Sequence, residues 1–370
     1  MKICFIGDSN SIHTKRWYNF FQKEGYSIDI ISWNKDPEIS QENIHNIPFN
    51  FILRIKYLRA IFILIWSFRR IHKINPNLIH IHMISNYGWA CLFIKNVPII
   101  VSIGGYDILI RAKVSRIHFF LSRLLLKKAD GITTSSKFIK SELIKKFYVK
   151  EEKIKYFSWG IDFKLFSSFS AEERKINKMR YNIPEHYVVL FHNRYFPAAK
   201  YKIIFDSIKN LKNIYPEFVL ILVKGVSVEK EWLKVKKYLE NLGINEKVIF
   251  IDEFVSQEKM SQLLSFSDIY FNILTHDQRG LSILEAMAAG CIPAVNNLPV
   301  YHEFIKNGIN GIIFDSEEPE CISKKIYWII KNLSELKPKF RKYNYEYIRE
   351  NDNKDKNENI MKELYMEVLK

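Results

Sequence analysis

Residues 277–315 read DQRGLSILEAMAAGCIPAVNNLPVYHEFIKNGINGIIFD, and this stretch decides the fold. Its first half sets an acid, Asp277, ahead of a glycine turn, a helix start, a second acid, Glu285, and a strand. Gly280 removes a side chain where a ligand approaching the backbone would need room. Ser282 and Glu285 stand in the S-x-x-E spacing of a capping box, so a helix is expected to begin near Leu281. Such a start carries free N–H groups and the positive end of a dipole, which suits a phosphate. Gly290 closes the helix, and residues 291–295 (CIPAV) read as the next strand. A plainer reading stands beside this one: Glu285 caps its own helix and Asp277 is a solvated loop acid.

Working outward, the chain begins with a buried strand at residues 2–7 (KICFIG), the loop DSNSIHT and a helix from about Lys15 to Lys23. Gly25 and a strand at Tyr26–Ser32 follow. That order opens a doubly wound α/β domain, whose ligands sit beyond the carboxyl ends of the strands. The loop lacks G-x-G-x-x-G, so no dinucleotide fingerprint is present. Asp8 to Arg16 instead offers hydroxyls, an amide, His13 and Arg16 at a helix N-terminus, although Ser9 and Ser11 read equally well as turn and cap residues. Leu78–His82 is a strand in which His80 and His82 alternate with isoleucines, the pattern of packed core histidines. A helix is expected from around Asn86. The strand Val97–Ser102 runs into GGYDIL (104–109), where two glycines permit close approach and Asp107 stands just past the strand, as a ligand-facing acid or a helix cap. Residues 51–76 and 111–128 read as basic amphipathic helices, the second with Phe119–Leu121 and Leu124–Leu126 toward the core. Residues 167–184 read as a hinge. A second α/β domain then starts with the strand Tyr187–Phe191.

The chain has 370 residues, enough for two domains of ordinary size. Lys and Arg exceed Asp and Glu by 16, which points to nucleic acid, an anionic membrane face or phosphorylated substrates. The cysteines (Cys4, Cys91, Cys291, Cys321) show no paired spacing, so a reduced, cytoplasmic chain without disulfides or a zinc site is expected. The chain enters a strand directly, and no signal peptide is expected.

The frame D-Q-R-G-L-S-I-L-E, with Asp277 and Glu285 eight apart, resembles the E-x7-E element of family 4 of the retaining, nucleotide-sugar-dependent glycosyltransferases, which have the GT-B fold. The segments AMAAGCIPAV (286–295), NGINGIIFD (307–315), GYDIL (105–109) and YFSWGIDFKLF (156–166) are similar to further pieces of that family. One departure is that the first acid is Asp, one methylene shorter than the family's usual Glu. The resemblance implies two Rossmann-like doubly wound domains facing across a deep cleft. They would be an acceptor-side domain at 1–166, a linker at 167–184, a nucleotide-sugar-binding domain at 185–345, and a last helix within 346–370 crossing back. It implies that Arg194 and Lys200 grip the donor diphosphate, with Asn193 where the family has Gly, and with Lys202 as an alternative to Lys200. It also implies a base-binding loop at Glu253 and Phe254, and phosphate contacts from Gly280, Leu281 and Ser282. Glu285 would meet the ribose diol, Asp277 a sugar hydroxyl, and Asp107 the space beside donor sugar and acceptor. Ser11, His13 and Arg16 would lie on the loop facing the donor phosphates and acceptor.

The activity this implies is retaining transfer of a sugar to a saccharide or lipid-linked acceptor in envelope polysaccharide or glycan biosynthesis. The departing nucleoside diphosphate gathers negative charge, which a metal or fixed cations must receive. No D-x-D occurs, so neither metal nor cofactor is expected and the nucleotide sugar is the substrate. Two other readings remain open, a GT-B nucleotide-sugar epimerase or hydrolase, and a catalytically lapsed basic binding subunit. Bases are spread along the chain without the basic–aromatic stripe of a nucleic-acid module, so no nucleic acid is expected. The two basic helices suggest a peripheral position on the cytosolic face of a membrane.

Overall fold

The computed structural model describes residues 1–48, 56–85, 87–167, 169–193, 199–224, 229–253 and 255–370. Contacts divide the chain into two compact units, residues 1–158 with 357–370, and residues 159–356.

The first unit is built on a parallel sheet of β1 (Lys2–Ile6), β2 (Ser27–Ser32), β3 (Ile44–Asn46), β4 (Leu78–His82), β5 (Ile99–Ser102), β6 (Gly131–Thr134) and β7 (Ile154–Tyr156). Its spatial order is β3-β2-β1-β4-β5-β6-β7. The short β3 was not expected from the sequence. The second unit carries β8 (Val188–Asn193), β9 (Phe218–Val223), β10 (Val248–Ile251), β11 (Ile269–Asn272), β12 (Ile292–Asn296) and β13 (Ile312–Phe314), ordered β10-β9-β8-β11-β12-β13. Runs such as FVLILV in β9 are apolar without alternation because helices cover both faces of a parallel sheet. In each sheet the strand order reverses once, between β1 and β4 and between β8 and β11, and crevices form beyond the strand ends at such points.

Several boundaries differ from the sequence reading. The first helix begins at Ile12, with Ser11 as its N-cap, so His13 and Arg16 lie in its first turns. Asn86 is outside the described residues, and a 3-10 turn at Gly88–Phe93 replaces the expected helix. The single helix expected at 111–128 is three pieces: a wide π-type turn at Asp107–Arg111, a short helix at Ala112–Val114, and a helix at Arg116–Lys128. Ser115 makes the break and caps the last piece by accepting from the His118 amide at 3.2 Å. Phe120 and Leu124, expected in the core, are exposed. Within residues 167–184, read as a hinge, one part is helical. A helix at Ala171–Met179 carries a complete capping box from Ser170 and Glu173. Its Arg174 donates to the carbonyls of Ser265 and Ala289, at 2.9 and 3.0 Å, within the second unit.

His80 and His82 are core residues. His80 lies between the Tyr365 hydroxyl (2.5 Å) and Ser102 Oγ (2.7 Å), and burial holds both histidines well below their usual range, His82 at about 3. Tyr365 belongs to the last helix, Lys354–Val368, and also stacks on Phe21.

Candidate active site

The second unit gathers its chemistry beyond the carboxyl ends of β11, β12 and β13. The helix after β11 runs from Leu281 to Ala289, starting where the sequence indicated, and closes on Gly290 at φ +89°. Its cap, however, is Gly280, with no side-chain cap bond. Ser282 lies one position inside the helix, and its hydroxyl oxygen accepts from Tyr270 Oη at 2.9 Å. The capping box expected of Ser282 and Glu285 is therefore not made. The first-turn amides are left without a side-chain cap, the arrangement that suits an anion.

Gly280 has an ordinary φ of −59°. Its need is steric, because a Cβ there would lie 2.6 Å from Asp277 Oδ2. The group that requires room is thus the chain's own carboxylate. Asp277 Oδ1 accepts from the Gln278 amide at 2.7 Å, and Oδ2 accepts from Tyr301 Oη at 3.0 Å. Part of the residue still meets solvent. Loss of hydration outweighs these two bonds and lifts the carboxyl to about 6. Burial raises the Tyr270 phenol as well, and the nearby charges of Asp277 and Glu285 add to it, so one buried hydroxyl lies close to both acids. Glu285 is partly exposed, one turn into the helix.

Lys200 joins this edge through its backbone. Its amide donates to the Ile273 carbonyl at 2.9 Å, and Ala199 bridges Leu274. Its ammonium pairs with Glu317 Oε2, beyond β13. Glu317 Oε1 accepts from Asn296 Nδ2 at 2.7 Å, and Asn296 also clamps the Leu274 amide and carbonyl at 3.0 and 2.8 Å. Lys200, Asp277, Gly280, Leu281, Ser282 and Glu285 therefore share one sheet edge. Lys202 is exposed on the helix Tyr201–Ile214. Glu253 is exposed and paired with Lys259. Arg194 and Phe254 lie outside the described residues.

Two supporting residues escaped the sequence reading. Arg279 is buried, and its Nη2 donates to Asp352 Oδ2 at 2.8 Å and Tyr347 Oη at 2.9 Å, with the guanidinium 5.2 Å from the Phe304 ring centroid. Asp352 is fully buried. The pair pins the Asp277–Gly280 loop to the end of the helix Leu333–Asn351.

In the first unit, Asp107 is fully buried. Its carboxylate accepts from the amides of Ile84 (3.0 Å), Ile108 (3.0 Å) and Gly104 (3.4 Å). Burial still raises its carboxyl above the usual range, against the lowering by these bonds. Arg16 is held by Glu358 at 3.3 Å. Ser11 caps its helix through the backbone alone, without a side-chain bond, and His13 is half-buried.

A model of the family "Glycosyl transferase 4-like" matches residues 2–136, and one of "Glycosyl transferases group 1" matches residues 173–347. The chain belongs to the group 1, GT4-like glycosyltransferases. It is 25% identical over 221 residues to the Bacillus subtilis protein YtcC, covering 57% of this chain and 54% of the relative, so the match spans about half of that protein's length. It is 23% identical over 312 residues to the alpha-monoglucosyldiacylglycerol synthase of Acholeplasma laidlawii, covering 77% of this glycosyltransferase and 75% of the other. Among solved structures, Anabaena Alr3699/HepE in complex with UDP and glucose superposes with a TM-score of 0.79 at 17% identity, covering 99% of this chain and 100% of that one. That likeness places the two parallel-sheet units in the GT-B fold.

Proposed function

We propose that this glycosyltransferase moves a sugar from a nucleoside-diphosphate sugar to a saccharide or lipid-linked acceptor with retention, its own cations receiving the leaving charge. The observation that carries the reading is the shared edge of the second sheet, where an amide-rich helix start, Lys200 and the acids Asp277 and Glu285 meet. The C1–O bond to the diphosphate breaks as the acceptor oxygen bonds C1 from the same face, and the acceptor proton passes to the departing phosphate. Lys200 and the first turn of the Leu281–Ala289 helix stabilise that phosphate, with Arg194 as a further donor. Glu285 accepts from the ribose diol and Asp277 from a sugar hydroxyl, carboxylates being acceptors facing O–H donors. Asp107 serves as a positioning residue that ties two loops of the first unit together. A relative solved with UDP and glucose and another that makes a glucosylated diacylglycerol support a nucleotide-sugar donor and a lipid-borne acceptor.

Calorimetric titration with UDP-, GDP- and ADP-sugars, followed by a transfer assay, tests the reading. Lys200→Ala and Glu285→Ala are expected to lower kcat by about 10²–10³-fold, roughly 3–4 kcal/mol, with melting unchanged. Transfer at the wild-type rate by either variant would falsify the site.

A further inference from the structure

Charge is distributed unevenly along the chain. Bases occur throughout, but from Asn43 to Ala129 thirteen Lys or Arg stand against one acid, giving +12 of the total +16. That acid is Asp107, which is buried and bonded to amides. The excess therefore falls on one part of the first unit.

The same segment leaves apolar side chains in water. On the helix Lys56–Ile74, Leu58, Ile61 and Ile65 are exposed at i, i+3, i+7. On Arg116–Lys128, Ile117, Phe120 and Leu124 repeat the spacing. Each of the six is 40–64% exposed. Spacing of this kind lines one helix face. The opposite faces of both helices feed a single core, through Ile63 and Ile71 on one and Leu125 and Leu126 on the other. Both helices pack on the Gly88–Phe93 turn, where Phe93 is also exposed. Lys128 fixes that junction by donating to the carbonyls of Cys91, Leu92 and Ile94. The two apolar stripes thus flank one turn on the same side of the sheet.

Cations continue each stripe. Arg69 and Lys73 extend the first by steps of four, Lys127 extends the second by three, Arg59 and Arg116 lie beside them, and Lys113 precedes the second helix across the Ser115 break, all exposed. Among the described residues none of these six has an ion-pair partner. No helix among the described residues is long and apolar enough to cross a membrane.

We infer that this face of the first unit docks on an anionic lipid bilayer, with the two stripes entering the headgroup boundary and the Arg and Lys rims meeting lipid phosphates. An apolar stripe edged by unpaired long cations is the chemistry of an interfacial helix, since the stems lie along the acyl boundary while the charges reach phosphate. A nucleic acid would have no use for the apolar side chains. The inference rests on the proposed function in one respect: the surface lets the enzyme meet a lipid-borne acceptor where it resides.

The test is flotation of the full chain, without donor, on phosphatidylglycerol–phosphatidylcholine vesicles and on pure phosphatidylcholine. Binding is expected only to the mixed vesicles and should fall with salt. Arg59→Gln and Arg116→Gln should each weaken it about five-fold, the effect of one charge near an anionic surface. Ile117→Asp with Phe120→Asp should abolish flotation, and the milder Ile117→Ser with Phe120→Ser should reduce it, both with unchanged melting. Absence of binding at low salt overturns the inference. So does equal flotation of wild type and the Ile117, Phe120 variants, or equal affinity for soluble polyglutamate, which would reveal a general polyanion site. A concentration-dependent dimer dissolved by these variants while flotation persists would assign the stripes to a second copy and also overturn it. Donor titration is run on the same samples, so a failure of docking with donor binding intact separates this inference from the reading it deepens.

Discussion

Asp107 and Asp277 stand in similar places and end up with different roles. Each lies beyond the carboxyl end of a parallel strand, close to a glycine, and in each burial raises the carboxyl above its ordinary range. Asp107 turns inward and is occupied by three backbone amides. Asp277 keeps some exposure, and one of its two bonds comes from a side chain, Tyr301. A backbone donor cannot leave without moving the chain, whereas a hydroxyl can be exchanged for a ligand's. The first unit therefore uses its acid to fix loops, and the second leaves its acid available. The second unit secures its own loops with charged side-chain pairs, Arg279–Asp352 in the interior and Lys200–Glu317 at the edge.

The interior pair gives the largest expected effect. Arg279→Ala leaves Asp352 charged and buried without its partner, and chemical denaturation should show a loss of about 3–5 kcal/mol. A loss below about 1 kcal/mol would mean the loop is held elsewhere and would remove this half of the contrast. Next, Asp107→Ala strips an acceptor from buried amides and should cost about 3 kcal/mol. UDP-sugar binding by the folded fraction should be unchanged; a specific loss of binding would give Asp107 a ligand role and erase the contrast.

Asp277→Asn sharpens the comparison in the opposite direction. A carboxyl raised from 3.8 to about 6 on folding contributes stability that is full below pH 3.8 and lost as pH rises through 6. The neutral amide avoids that loss. The variant should therefore be more stable than wild type at pH 8, on the order of 1–2 kcal/mol given the carboxyl's partial exposure, and no more stable near pH 4. Its transfer rate should fall, since one acceptor oxygen is gone. A stability difference that is the same at both pH values would show that the charge is not the cause.

Strands β1, β2, β4 and β5 of the first sheet and β8 and β12 of the second could be read from short apolar-rich runs between turn residues, and the candidate site was marked by the spacing of Asp277, Gly280 and Glu285. What escaped depended on partners distant in the chain. Ser282 looked like a cap until Tyr270, from β11, took its hydroxyl, whereas Ser170, with the same spacing and no such competitor, forms the box. Gly280 was marked for a ligand's approach, and the structure adds a need no local pattern shows, room for the chain's own Asp277 carboxylate. Asp352 gave no sign of burial, because nothing local reveals Arg279 reaching it from 73 positions away. Phe120 and Leu124 were read with their neighbours as one core face, but three consecutive helical residues span about 200°, so with Leu125 and Leu126 turned inward Phe120 and Leu124 must turn outward.

The smallest expected effect concerns the edge pair. Lys200 is half-buried and held by Glu317, which Asn296 orients in turn. A diphosphate approaching Lys200 must compete with that carboxylate. Glu317→Gln keeps the acceptor for Asn296 and removes the competing charge. An ion pair this accessible to water is worth at most about 1 kcal/mol, so UDP or GDP should bind up to about five-fold tighter, with a weaker dependence on salt. Calorimetry at two ionic strengths reads both quantities. Weaker binding would instead make Glu317 the group that aims Lys200 at the phosphate, and the pair would then be a fixed positioning contact like the amides around Asp107.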